Sequence, residues 1–245
     1  MQRADASGNL ISVNLNGMTV SDQDLVELSS LTSVTTVLLG DTNIKDADLR
    51  RIATMGQLET LGLRGTAITD NGVAHLAGLK RLRELFLADT AVTDKALATV
   101  AGLPNLENLG LRGTAVSDTG LEHVASLAKL KHLMLADTRV SDGGLRHLSG
   151  LTTLESLDLS QTTVTAAGLE RLAGCSAMRR LMLAGTAIDD SALPQAARFT
   201  SLFYLDLGCD GFRCDAAYKV PPELWRHLIG AARRRRPDVV FAAET

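Results

Sequence analysis

Three histidines recur at regular spacing and are the first residues in the chain that could do chemistry. The spacing from His123 to His147 is half of the spacing from His75 to His123. Imidazoles on neighbouring structural units could share a metal ion, but packed helices lie about 8–10 Å apart. No cysteine or carboxylate pair accompanies the histidines to complete a ligand set. We therefore expect no metal and no cofactor.

The three cysteines, Cys175, Cys209 and Cys214, make an odd number without metal-ligand spacing. Cys175 takes a position that is leucine in other copies of a repeat described below, and it is predicted to be a buried apolar residue. Cys209 and Cys214 could form a disulfide in an oxidising compartment. A catalytic thiol would require a histidine partner that the sequence does not place, and common nucleophile, phosphate-loop and zinc-protease motifs are absent. The sequence predicts a non-enzymatic protein.

Composition narrows the classes of partner. The chain has 245 residues, a net charge of −3 and 45% hydrophobic residues, so no overall positive field would attract nucleic acid or an anionic membrane. The basic run 233–236 is interpreted as a solvated helix end. No signal sequence and no stretch of about 18 apolar residues is found. We expect a cytoplasmic protein with no nucleic-acid or membrane partner.

A strict repeat of 24 residues organises the chain. We number each unit from its first apolar residue, so that position 9 of most units is threonine, as in Thr66. The units begin at Leu10, Val34, Leu58, Leu82, Leu106, Leu130, Leu154, Met178 and Leu202. Such a period predicts one solenoid of stacked units.

Each unit combines two hydrophobic periods. In the unit that begins at Leu58, Leu61 and Leu63 alternate with outward residues, as in a half-buried strand. After the threonine, Thr69 and Asp70 precede apolar residues spaced three apart, which predicts a helix of about two turns with a hydroxyl N-cap. Strands related by translation must be parallel, so the pattern predicts a sheet on one side, helices on the other and an arc with the sheet inside.

These residues resemble the leucine-rich repeat superfamily. Threonine at position 9 followed by [IV]-[ST]-D-x-G-L is similar to bacterial repeats related to F-box-associated, cysteine-containing repeats, over about residues 10–210. The resemblance implies an α/β fold: a right-handed leucine-rich-repeat solenoid, or horseshoe, with a parallel concave sheet and short convex helices. It also implies protein binding on the concave face. Threonine replaces the usual asparagine or cysteine, so a sparser hydrogen-bond ladder is expected.

The ends depart from the repeat. Residues 1–9 form an N-terminal extension without a capping helix, which would leave the strand at 10–15 as an open edge. Residues 211–245 are interpreted as a C-terminal cap, with a helix at about 222–235 and a strand at about 238–241. An alternative is that the same terminal helix binds a partner.

The concave positions alternate with a period of two units. Position 5 reads Leu38, Gly62, Phe86, Gly110, Met134, Asp158 and Met182. Strands lie about 4.8 Å apart, so the Phe86 ring is expected to lie across Gly62 or Gly110. At one margin, arginines at position 7 and aspartates at position 8 predict a charge ladder of Asp41, Arg64, Asp89, Arg112 and Asp137.

The predicted partner site is an exposed apolar strip with a charged margin, binding a protein or peptide. Position 3 adds polar variety for specificity. The site comprises Leu38, Asp41, Arg64, Phe86, Asp89, Arg112, His132, Met134, Asp137, Met182 and Tyr204. The competing interpretation is a duplicated pair of repeats with no binding role. Two further functions stay open: self-association through the N-terminal edge, giving a homo-oligomer, and a substrate-recognition arm of a ubiquitin-ligase-like effector.

Overall fold

A computed structural model describes residues 2–4, 10–188, 193–196, 198–202 and 204–206. The predicted C-terminal cap, Cys209 and Cys214 lie outside these residues. So do most residues of the N-terminal extension. The proposed domain boundaries accordingly remain predictions.

One ten-stranded sheet runs through the described chain, with its strands in sequence order. Strands β2 to β10 are parallel, and each residue pairs with the residue at the same position of the next unit, as in Val37 with Leu61 and Leu61 with Leu85. The strands are β1 (Gln2–Ala4), β2 (Leu10–Asn14), β3 (Thr36–Leu38), β4 (Thr60–Gly62), β5 (Glu84–Phe86), β6 (Asn108–Gly110), β7 (His132–Met134), β8 (Ser156–Asp158), β9 (Arg180–Met182) and β10 (Tyr204–Asp206). The predicted parallel solenoid sheet is confirmed.

The N-terminal edge differs from the prediction. Strand β1 pairs antiparallel with β2, with Gln2 opposite Val13 and Ala4 opposite Leu10. Backbone groups of β2 therefore bond to strands on both sides. The expectation that residues 10–15 form an open edge was wrong, because the extension supplies a strand where the sequence offered no helical cap.

Short helices connect the strands on the other side of the sheet. They are α1 (Asp22–Ser30), α2 (Leu49–Ile52), α3 (Asp70–His75), α4 (Asp94–Val100), α5 (Asp118–Val124), α6 (Asp142–Leu145), α7 (Ala166–Glu170) and α8 (Leu193–Ala196). Single 3₁₀ turns extend α3 and α6. The predicted hydroxyl N-caps are present in several helices: Thr69 accepts a hydrogen bond from the Asn71 N–H, and Ser21 forms a capping box with Asp24. No helix among the described residues is both long and apolar enough to cross a membrane.

Leucines from the sheet and the helices meet in one continuous core. In the unit that begins at Leu58, Leu61 and Leu63 of the strand region and Leu76 and Leu79 of the helical side are all fully buried. Full burial of such a side chain contributes about 1.5–3 kcal/mol, so the repeated leucines account for the stacking of the units. Positions 4 and 6 are committed to this core, which leaves positions 3, 5 and 7 on the opposite face of the sheet.

The position-9 threonines stabilise their own turns. Thr66 is 5% exposed, and its hydroxyl donates to the carbonyl oxygen of Leu63 at 2.5 Å. The same three-residue bond is made by Thr42, Thr90, Thr114, Thr138, Thr162 and Thr186. The threonines bond within a unit, so they do not replace the ladder that an asparagine would form between units.

A carboxylate ladder on the helical side joins neighbouring units. The backbone N–H of Thr69 donates a hydrogen bond to Asp46 Oδ1 at 2.8 Å, and the Thr69 hydroxyl donates one to Asp46 Oδ2 at 2.5 Å. Four further junctions repeat this pair of bonds: Asp70 with Thr93, Asp94 with Ser117, Asp118 with Ser141, and Asp142 with Thr165. From the sequence, this aspartate is predicted only as the residue that follows the hydroxyl N-cap. Its carboxylate also holds the next unit in register.

Candidate functional site

A concavity of about 500 Å³ lies on the sheet face opposite the helices. Six residues of the predicted site line it: Leu38, Asp41, Arg64, Phe86, Arg112 and Met134. Asn16, Ala88 and Asp158 also line it and were not predicted as site residues. The concavity extends from the unit of β2 to the unit of β8, so its walls come from seven successive units.

Apolar side chains form the floor by leaning onto glycines. A Cβ at Gly110 would lie 3.0 Å from Phe86 Cδ1 and 3.7 Å from Met134 Cε. Phe86 therefore packs against Gly110, which is one of the two arrangements expected. A Cβ at Gly62 would likewise lie 2.9 Å from Leu38 Cδ2. This packing leaves the side chains of the apolar strip half-buried.

The residue at position 8 has a left-handed backbone conformation. From Asp41 to Asp137, this residue alternates between aspartate and glycine. Asp41, Asp89 and Asp137 have φ of 55°, 56° and 55°, a region that aspartate tolerates better than most side chains do. Gly65 also has positive φ, and a Cβ there would overlap Asp41 Oδ1. The Asp41 side chain thus lies over Gly65, and the Asp89 side chain lies over Gly113. The alternation at this margin follows from both backbone conformation and packing.

The predicted charge ladder forms only in part. Arg64 Nε donates to Asp89 Oδ2 at 3.0 Å, and the hydrogen bond and charge of Asp89, together with the charge of Asp41, raise the pKa of Arg64. Arg112 makes no ion pair with any residue that the structure describes. Within the predicted ladder, Asp89 therefore pairs with the arginine of the preceding unit and not with Arg112.

The other predicted site residues lie away from the concavity. His132 is half-buried on β7, and Met182 is half-buried on β9. Tyr204 on β10 donates its hydroxyl to Asp206 Oδ2 at 3.3 Å. Asp89 and Asp137 are exposed in their turns. The described geometry brings the central half of the predicted set together and leaves these five at its margins or beyond.

Position 2 carries a second charged row that the sequence interpretation missed. Its signs alternate from unit to unit through Glu59, Arg83, Glu107, Lys131, Glu155 and Arg179. Glu107 accepts a hydrogen bond from Lys131 Nζ at 2.7 Å and another from Arg83 Nη2 at 2.6 Å, and these two bonds lower the pKa of Glu107. Arg179 Nη1 lies 3.3 Å from Glu155 Oε2. The signal was present in the sequence as charges of alternating sign at one position of six successive units.

The described titratable residues outside the sheet face make only local contacts. Among the described residues, no group of three or more His, Cys, Asp or Glu side chains could hold a metal ion. His75 accepts from Arg50 Nε at 3.3 Å, and His147 lies 3.7 Å from Glu122. Cys175 is buried as predicted, and burial raises the pKa of its thiol to about 11.

The family pattern described as Leucine Rich repeat matches residues 150–173. An internalin (InlF) from Listeria monocytogenes is similar over 84% of this chain and 65% of its own, at 24% identity and a TM-score of 0.62. Internalin C2 of the same bacterium is similar over 77% of this chain and 84% of its own, at 22% identity and a TM-score of 0.57. No curated protein matches the sequence.

A plant structure is also similar: the repeat ectodomain of the Arabidopsis thaliana receptor kinase GASSHO1/SCHENGEN3, in complex with Casparian strip integrity factor 2. The similarity covers 84% of this chain and 25% of that one, at 18% identity and a TM-score of 0.58. The chain thus spans under two thirds of both the InlF and the plant chains. Together with the sheet and the matched repeat, these findings show the leucine-rich-repeat fold. Proteins with this fold generally act as protein-interaction modules. The finer resemblance to F-box-associated repeats stays a prediction.

Proposed function

We propose that the chain is a non-catalytic module that binds a protein or peptide on its concave face. The observation that carries this proposal is the concavity floored by Phe86, Gly110 and Met134 and bordered by charged side chains. Aromatic, methionine and arginine side chains are enriched in protein interfaces. The plant relative, whose structure contains a bound partner, supports the same use of the fold.

The floor provides the direct test. Replacing Phe86 and Met134 together with aspartate puts two charges where an apolar partner surface would pack, and an uncompensated buried charge is strongly unfavourable. We expect the double variant to lose the proteins that wild type captures from a lysate of the source organism, measured by quantitative mass spectrometry. Both side chains are half-buried, so a modest fall in the melting temperature is also expected.

A matched control separates binding from folding. Val26 and Ala98 are exposed on the convex helices α1 and α4, and changing both to aspartate adds the same charge away from the sheet. This variant should capture the wild-type set of proteins. If both double variants lose the same proteins, or if neither does, the concave face is not the binding surface.

The two alternatives have less support. Self-association through an open strand at residues 10–15 loses its stated basis, because β1 pairs with β2. The ubiquitin-ligase-like role requires a catalytic or adaptor segment that the described residues do not supply. A cytoplasmic location belongs to the proposal and rests on composition alone.

A further inference from the structure

We propose that Arg112 binds a carboxylate of the partner, and that the partner carries a large apolar side chain next to this acidic group. The inference rests on the proposed function and names the chemistry of the peptide that the concave face binds. Two arginines at the same position of their repeat units differ in a way that supports it.

Arg64 and Arg112 both occupy position 7, in units separated by one intervening unit, and both line the concavity. Arg64 donates to Asp89 at 3.0 Å and lies near the negative charge of Asp41. Arg112 is exposed and is in ion-pair contact with no carboxylate among the described residues. The charge of Arg64 is therefore paired with a carboxylate of the protein, whereas the charge of Arg112 is not paired with any described carboxylate.

The position of Asp89 explains this difference. Its Oδ2 accepts from Arg64, and its Oδ1 lies over Gly113, where an added Cβ would overlap it. Asp89 thus forms its ion pair with Arg64 and none with Arg112. Asp137, in the turn that follows Arg112 along the stack, forms no ion pair with it. Within the part of the chain that the structure describes, the five N–H donors of the Arg112 guanidinium stay available to an external acceptor, and a planar carboxylate can accept two of them side by side.

The apolar floor lies beside this guanidinium. Gly110 precedes Arg112 by two residues, and Phe86 and Met134 approach Gly110 from the units on either side. Residues two apart on one face of a strand are separated by about 6.6 Å, which is also the spacing of alternate side chains in an extended peptide. A bound peptide can therefore place a large apolar side chain on the floor and a carboxylate on Arg112 with at most one residue between them.

The acidic residues of the concavity favour the same placement. Asp41 lines its N-terminal part, and Asp158 lines its C-terminal part. Both would repel a partner carboxylate, whereas Arg112 attracts it from between them. The charges therefore fit a peptide whose acidic residue sits at the middle of the concavity.

The test is selection from a phage-displayed library of random twelve-residue peptides. Four proteins are used: wild type, Arg112→Glu, the Phe86→Asp and Met134→Asp double variant, and Arg51→Glu. Arg51 is exposed on the convex helix α2, so its reversal matches the charge change at a distance from the sheet. Melting temperatures of all four proteins confirm folding. Kd values for synthetic copies of the enriched peptides, with Asp or Glu kept or changed to Asn or Gln, complete the measurement.

We expect wild type to enrich peptides that carry Asp or Glu within two residues of Leu, Met, Phe or Tyr. A hydrogen bond to a charged group contributes about 1.5–3 kcal/mol, so neutralising that acid should weaken binding about tenfold or more. Arg112→Glu should weaken the same peptides by at least that factor and select basic residues instead. Arg51→Glu should behave as wild type does.

Two results would overturn the inference in distinguishable ways. In the first, enriched peptides fail to bind the double aspartate variant, but they show no preference for acidic residues and bind Arg112→Glu as they bind wild type. The proposed role of Arg112 is then wrong, and the proposed function stands. If no peptide is enriched, or if enriched peptides ignore the double variant, both the inference and the proposed peptide-binding function fail.

Discussion

Asp94 accepts two hydrogen bonds from Ser117 across the junction of two units: the backbone N–H donates to Oδ1 at 2.7 Å, and the hydroxyl donates to Oδ2 at 2.6 Å. Both residues are half-buried. Asp94 lies in the first turn of α4, and Ser117 is the N-cap residue of α5. One carboxylate therefore joins the first turn of its own helix to the start of the next helix.

We expect Asp94→Ala to lower the free energy of unfolding by about 3 kcal/mol, because two charge-assisted bonds are lost and the Ser117 donors are left without this acceptor. Urea unfolding followed by circular dichroism measures the change. Asp22 is the control, since it is an exposed acid in the first turn of α1. Equal losses for Asp22→Ala and Asp94→Ala would show that the helix dipole, and not the junction, explains the recurrence of this aspartate along the chain.

Two glycines at position 21 should respond differently to alanine. A Cβ on Gly174 would overlap the backbone carbonyl oxygen of Ser149, which cannot rotate away as a side chain would. A Cβ on Gly150 would meet nothing within 4 Å. We expect Gly174→Ala to cost about 1–3 kcal/mol of stability and Gly150→Ala to be neutral or slightly stabilising. Thermal unfolding of the two variants side by side tests this, and a similar melting temperature for both would contradict it.

The Glu107 carboxylate should make stability depend on acidic pH. Lys131 and Arg83 lower its pKa in the folded protein, so its contribution is complete above the unfolded value of about 4.3 and is lost as the pH falls through and below that value. Glu107→Gln should cost about 1 kcal/mol at pH 7, because the ion pairs are partly exposed. The difference from wild type should shrink towards pH 3.

Glu59 provides the matched comparison for this experiment. It stands at the same position two units earlier, and it has no ion-pair partner among the described residues. Urea unfolding of Glu59→Gln between pH 7 and pH 3 should track wild type. A Glu107→Gln deficit that stays constant over this range would mean that its carboxylate charge does not contribute.

The Cys175 thiol should be inert while the protein is folded. Its side chain is fully buried, its Sγ donates to the Leu148 carbonyl oxygen at 3.2 Å, and its pKa of about 11 leaves little thiolate at pH 8. With Cys209 and Cys214 changed to serine, iodoacetamide labelling should be at least about a hundredfold slower in the native protein than in urea. Mass spectrometry over time measures both rates, and comparable rates would show that the site is open.

Much of the fold could be predicted from the sequence because each unit repeats the same constraints. Leu61 and Leu63 alternate as a half-buried strand requires, and Thr69 precedes its helix as an N-cap. The pairing of β1 with β2 could not be predicted, because Gln2–Ala4 shows no repeat and too few residues for a hydrophobic pattern.

The candidate site was harder to predict, since side-chain direction is not a property of spacing. Arg64 has an aspartate in the unit before it, Asp41, and another in the unit after it, Asp89, yet its hydrogen bond is to Asp89 alone. Phe86 had two glycines available and packs against Gly110. In each case the side chain contacts the following unit and not the preceding one, and the repeat pattern does not specify that direction.

The aspartates that lie over glycines at position 8 limit how such a chain can change its length. Deleting residues 58–81 would bring Asp89 next to Asp41, so that a Cβ occupies the space that Gly65 leaves for a carboxylate. Deleting residues 58–105 would bring Gly113 there instead and preserve the contact. In this part of the protein, loss of a whole pair of repeats would therefore preserve the contact between units, whereas loss of a single repeat would not.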